Sequence, residues 1–306
     1  MWIREPGKIT DRIDFLGTRK ICLYLLKGEH AMIIGGGMTW VAPYLEKQFS
    51  ALDFDLSRIK YLVIPHSHFD HCGAVPYLKR KFPHIQILAS AYSREVFSKE
   101  KATNFIASAN RKAEEHYLQN EPDRPDSQFD RIQVDRVVGE NDVIDLGGGI
   151  EAYFIEVPGH TRCSIATYVP QLKALFPSDS APFLIDDGTE LTNPSVQYDF
   201  FLYLESLKKL ASYEVEVCGF DHHGAFIADQ AQRILQQGLE HTQNFGTRII
   251  EQYRRTGDLD KMAQELAIEA MEKNKFDFLG LEIEILVART VIEKCLAAAP
   301  GDSGTA

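Results

Sequence analysis

Short apolar runs separated by glycine-rich turns fill the first two-thirds of the chain, and helical spacing takes over in the last third. The runs 21–26 and 31–34 flank the polar turn Lys27-Gly28-Glu29-His30, a pattern that predicts a hairpin stopped by Gly35-Gly36-Gly37. Tyr61-Leu62-Val63-Ile64 is apolar throughout, as in a strand covered on both faces. The runs 85–88, 143–146, 150–155, 164–169 and 174–176 continue the series. Between them, 96–118 is rich in Lys, Glu and Ala, and 199–210 carries apolar residues at three- and four-residue steps; both predict helices. The polar stretch 120–127, broken by Pro122 and Pro125, predicts a loop.

From about Ala228 the spacing changes. Ala231, Ile234, Leu235, Leu239, Phe245, Ile249, Ile250 and Tyr253 mark the stripe of one long helix ending near Gly257. A second helix is expected from near Asp258 and a third over 283–297, with 301–306 expected to be disordered. The chain therefore divides into an α/β body, 1–225, and a C-terminal helical extension, 226–306.

Composition narrows the function. Of 306 residues, 44% are hydrophobic and 25% charged, an ordinary globular mixture. The net charge of −11 and the lack of a long Lys/Arg run argue against a nucleic-acid partner, which needs a basic face. Five scattered cysteines without a CxxC pair match neither a disulfide framework nor a zinc ribbon and suit a reducing compartment. The N-terminus lacks a signal-peptide pattern, and no stretch approaches the roughly 18 apolar residues of a membrane span. The expectation is a cytoplasmic protein with a small-molecule substrate and no membrane partner.

The chemistry concentrates after the strand at 61–64. His66, His68, Asp70 and His71 fall within six positions, offering neutral nitrogen donors and an anionic oxygen to a divalent transition metal. Alternate residues of an extended segment share a face, so His66 and His68 can aim together. Downstream, His160 follows Pro158-Gly159, Asp179 follows the strand at 174–176, and Asp221-His222-His223-Gly224 follows the apolar run 215–220. Each comes after a strand, where α/β proteins gather their sites.

This order of motifs resembles the metallo-β-lactamase superfamily over roughly residues 15 to 225. The resemblance implies a four-layer αββα sandwich with a dinuclear metal site at one edge. It implies that His66, His68 and His160 hold one metal, that Asp70, His71 and His223 hold the other, and that Asp179 bridges them. His222 competes with His223; the family places its last ligand directly before glycine, which favours His223. The family often has an acidic residue where this chain reads Ile34-Gly35-Gly36-Gly37, so one support of the metal loop is expected to be missing.

Within the superfamily the chain is similar to the quinolone-signal response thioesterases, which act on 2-aminobenzoylacetyl-CoA. The likeness lies in His71-Cys72-Gly73 with Pro76-Tyr77-Leu78, in Ile87-Leu88-Ala89-Ser90, in Tyr203-Leu204-Glu205-Ser206-Leu207 and in Phe276-Asp277-Phe278-Leu279. It implies a helical tail that closes over the active site; so placed, the apolar Phe276, Phe278, Leu279 and Leu281 would wall a pocket for an acyl or aromatic group, the alternative being core packing away from the site.

Two metals sharing a water lower its pKa enough to supply hydroxide near neutral pH and polarise the substrate oxygen. Asp70 is the expected catalytic group, holding the nucleophile and moving its proton. The cofactors expected are two divalent ions; zinc, iron and manganese all suit these ligands. The leading expectation is a thioesterase or esterase acting on an acyl-CoA or similar ester. A quorum-signal lactonase, or a regulatory protein retaining the metal site, is the alternative; a homodimer or a regulatory protein partner stays open.

Overall fold

In the computed structural model, residues 1–119, 125–185, 188–274 and 280–299 are described. The expected disorder of 301–306 and the first part of the predicted 120–127 loop lie outside them. Among the described residues the strands form two seven-stranded sheets. One runs, in spatial order, Gly7–Lys8, Ile13–Gly17, Cys22–Lys27, Ala31–Ile34, Ile59–Val63, Gln86–Ala89 and Arg136–Val137. The other runs Trp2–Ile3, Ala225–Ile227, Val217–Gly219, Ala174–Phe176, Ile165–Val169, Glu151–Glu156 and Val143–Asp145.

Period-two alternation builds the layers. In the predicted hairpin, Tyr24 pairs with Ile34 and Leu26 with Met32, and these side chains enter the core between the sheets. Their neighbours Leu23, Leu25 and Ile33 point the other way, into a core shared with the helices Ala42–Ala51, Val75–Lys81 and Glu100–Tyr117. From the second sheet, Phe154 and Phe176 face inward, while Ile155 and Leu175 face outward onto the helices Phe200–Ala211 and Asp229–Thr256. The result is four layers, helix, sheet, sheet and helix, as the resemblance implied. Each fully buried Leu or Phe contributes roughly 1.5–3 kcal/mol relative to exposure, which is why runs that are apolar at every position occupy the middle of the stack.

The tail helices Asp229–Thr256, Leu259–Asn274 and Leu281–Ala297 join the outer core of the second sheet. Ile234, Phe245, Met262, Val291 and Ile292 belong to one apolar cluster with Leu175, Cys218 and Phe226. Gly257 ends the first of these helices in the left-handed conformation, φ +63°, its N–H donating to Tyr253 O. The single helix expected over 96–118 is instead two. Ala91–Phe97 starts at Ser90, whose hydroxyl accepts from Ser93 N–H, and Glu100–Tyr117 begins after a break at Ser98-Lys99. No helix among the described residues is long and apolar enough to cross a membrane.

Candidate metal centre

The strand Ile59–Val63 delivers its C-terminal end to a loop that the backbone holds from several sides. Ile165 N–H donates to Pro65 O (2.9 Å), Gly36 N–H to His71 O (3.0 Å) and Gly73 N–H to Gly37 O (2.6 Å). A Cβ on Gly36 would lie 2.6 Å from His71 O. The glycine run that replaces the family's acidic residue thus lets two backbones meet directly. Asn110, on the helix Glu100–Tyr117, spans the same loop, donating to Phe69 O and accepting from Thr39 N–H.

Four residues of this loop enter the site, and His160 and Asp179 come to meet them. His160 Nε2 lies 3.2 Å from His66 Nε2 and 3.0 Å from His68 Nδ1. Three imidazoles on one tetrahedral ion at bonds of about 2.0–2.1 Å would have nitrogens about 3.3 Å apart, so the spacing is that of ligands. The outer ring atoms set the tautomers. His160 Nδ1 faces the Ser195 carbonyl and must donate to it, which leaves Nε2 bare toward the site. His66 Nδ1 meets Ser178 Oγ at 3.0 Å.

Asp179 stands between two groups of donors. Its Oδ2 is 3.1 Å from His71 Nε2, 3.4 Å from His160 Nε2 and 3.7 Å from His66 Nε2. Its Oδ1 is buried with no hydrogen-bond partner among the described residues and lies 3.8 Å from His222 Nε2. Asp70 Oδ2 is 3.3 Å from His71 Nε2 and 3.6 Å from His222 Nε2. Three overlapping sets could each hold an ion: His66, His68 and His160; His66, His71 and Asp179; Asp70, His71 and His222.

The histidine that stands with Asp70 and His71 is His222, one residue before the position that the family pattern favoured. Its Nδ1 donates to Lys20 O (2.6 Å), which turns Nε2 toward Asp70 and Asp179. His223 adopts φ +61° and Gly224 φ +96°, so the chain reverses there and begins the strand Ala225–Ile227. That reversal sets the His223 ring against Phe183, 5.1 Å between centroids. We expect His222→Ala to lose metal from the Asp70 side, while His223→Ala keeps its metal. Metal analysis of the two purified variants ranks them, and an equal loss in both would reject the assignment.

Sequence reasoning singled out Asp221 only as a neighbour. It is 3% exposed, and its Oδ2 lies 3.2 Å from His71 Nδ1, where it orients that ring. A carboxylate thus supports the metal loop from a different strand end than in the family pattern. The Asp-His-His run was the one visible signal.

Charge balance suits a cation. Burial drives the imidazoles of His66, His68 and His160 down, His68 to about 3, so these three are neutral and ready to bind. For Asp70 and Asp179 burial works upward, but His71 and His222 together, joined by His160 at Asp179, outweigh it and both remain ionised. His71 goes the other way: burial lowers it, and Asp70 and Asp179 more than compensate. Two carboxylates so placed call for positive charge between them. Cys72 is no rival nucleophile, since burial pushes its thiol up and it donates to His68 O.

Above the donors opens a cavity of about 510 Å³, lined by His68, Asp70, His160, Asp179 and His222 on its floor and by Phe183, Pro194 and Tyr203 on its sides. The last helix completes the wall with Ile283, Glu284, Leu286, Val287 and Val291. Leu281, expected there, is not in the wall; Ile283, Glu284, Leu286, Val287 and Val291 of the same helix form it instead. Phe276, Phe278 and Leu279 lie outside the described residues.

Comparison with known proteins agrees with this geometry. Residues 22–222 match the family described as the metallo-beta-lactamase superfamily. The chain is 29% identical over 192 residues to a metallo-beta-lactamase fold-containing protein of Sulfurisphaera tokodaii, covering 62% of this chain and 70% of that one. It is 26% identical over 235 residues to the atrochrysone carboxyl ACP thioesterase of Claviceps purpurea, covering 76% of this chain but only 57% of the thioesterase. A metallo-beta-lactamase family protein from Thermus thermophilus superposes with a TM-score of 0.62 at 16% identity over 94% of this chain and 95% of that one, a likeness of fold. The His and Asp groups that converge here are consistent with a metal-dependent hydrolase, and the chain belongs to the metallo-beta-lactamase superfamily.

Proposed function

We propose that this chain is a dinuclear metal-dependent hydrolase acting on a thioester or similar ester, of the kind made by acyl-CoA, with His66, His68, Asp70, His71, His160, Asp179 and His222 as its ligands. One observation carries the reading: Asp179 stands between the donors, its Oδ2 3.4 Å from His160 and 3.7 Å from His66 and its Oδ1 3.8 Å from His222, at the floor of a largely apolar cavity. When bound, two divalent ions would lower the pKa of a shared water and polarise the acyl oxygen. The residues do the rest. Asp70, ionised and 3.3 Å from His71 Nε2, is placed to hold the attacking water and take its proton. Tyr203, whose buried hydroxyl has no hydrogen-bond partner among the described residues, supplies a donor to the wall; burial pushes it well up, so its proton stays on. Apolar walls exclude bulk water and strengthen each of these interactions.

The thioester preference is supported by the distant thioesterase relative and by the likeness to quinolone-signal response thioesterases. The experiment is hydrolysis of a panel of acyl-CoA thioesters, acyl lactones and phosphodiesters by protein of known zinc, iron and manganese content. Thioester turnover that is abolished by chelation and restored by metal is the expected result. Turnover confined to lactones would move the substrate class, and metal-loaded protein inert toward the whole panel would overturn the hydrolase reading.

A further inference from the structure

The cavity wall contains one charge that the metal site does not use. Glu284 sits in the first turn of the helix Leu281–Ala297, on the side that faces the cavity, with Ile283, Val287 and Val291 around it. Among the described residues its carboxylate has neither a hydrogen bond nor an ion pair, whereas Glu269, Asp260 and Glu293 of the same tail each have a lysine or arginine beside them. A carboxylate half-buried among apolar side chains is costly unless something hydrogen-bonds to it. Burial alone pushes this carboxyl up to about 7. The floor of the same cavity is the ligand cluster, so a molecule reacting there would extend toward Glu284.

We propose that Glu284 is a specificity-determining residue that selects acyl groups carrying a hydroxyl or amine donor away from the carbonyl, over plain alkyl or aryl chains. This rests on the ester-hydrolase reading for its substrate. A donor on the acyl group gives the carboxylate the partner it lacks, whereas a methyl group of the same size leaves it desolvated and unpaired. An acyl group ending in a second carboxylate meets like charge and is disfavoured. The selection comes from the tail and not from the metal loop, so one metal centre can serve a narrow set of esters.

The test uses the metal-loaded full chain and N-acetylcysteamine thioesters of phenylacetic acid, substituted at the 2-, 3- or 4-position with hydroxyl, methyl or carboxylate. At the best-fitting position the wild type should favour hydroxyl over methyl in kcat/KM by roughly tenfold or more, and carboxylate should be poorest. Glu284→Leu should erase or invert the hydroxyl preference, and Glu284→Gln, which keeps a carbonyl acceptor, should retain part of it. Metal content should match the wild type in both. A hydroxyl-to-methyl ratio within twofold of wild type in Glu284→Leu, or no preference in the wild type at any position, would overturn the proposal. If no thioester is hydrolysed, the thioester reading fails separately, and the free hydroxy- and methylphenylacetates decide this one by calorimetry. Tighter hydroxyphenylacetate binding that Glu284→Leu abolishes would support it; equal or absent binding would overturn it.

Discussion

Asp179→Asn and His68→Ala are each expected to lose bound metal and to lower hydrolysis by at least on the order of a thousandfold. Asp179 stands between the donors of the two sides, with Oδ2 within 3.1–3.7 Å of three imidazoles and Oδ1 3.8 Å from His222. Its amide replacement is neutral and a poor bridge. It would leave the buried donors without the negative charge that balances two divalent ions. His68 belongs to one donor group only, so His68→Ala should retain part of the metal content while losing activity. Metal analysis by mass spectrometry, read beside the turnover assay, separates the two. Full metal content and unchanged turnover in both variants would reject the site.

Gly159→Ala is expected to destabilise the protein by roughly 3 kcal/mol or more and to displace His160. Gly159 has φ +136°, a conformation that side chains rarely adopt, and an added Cβ would collide with the backbone and Cβ of Tyr203. Nothing there is a flexible side chain that can move aside. The same residue is tied on both sides: Gly159 N–H donates to Thr161 O, and its carbonyl accepts from Tyr198 and Asp199 N–H. Gly149→Ala is the control. Its φ is +75° but nothing lies within 4 Å of the added Cβ, so only the backbone cost of about 1 kcal/mol applies. Thermal unfolding of the two variants should show a much larger drop for Gly159→Ala, with metal loss in that variant alone. Equal drops would show that the close approach to Tyr203 is not what requires glycine.

Much of this protein is determined locally. Alternation at 23–26 and 31–34 places each side chain on one face of a strand whatever follows it, so the hairpin and both of its cores are readable in advance. The cluster His66, His68, Asp70 and His71 is equally local, because residues within six positions on one loop cannot separate far. The helix stripe from Ala231 to Ile249 likewise needs only the 3.6-residue period.

What remained was decided by long-range packing. His222 and His223 have the same chemistry and neighbouring positions; the sign of φ at His223, required by the reversal into the strand Ala225–Ile227, chose between them. Asp221 became the support of His71 because the two meet across 150 residues of sequence, a contact no spacing expresses. The tail shows the same limit. An apolar run says that a helix must bury one side, but the angle at which that helix docks decides which residues face the cavity. Here that rotation left Leu281 out of the wall and brought Glu284, a charged residue no hydrophobic pattern selects, into it.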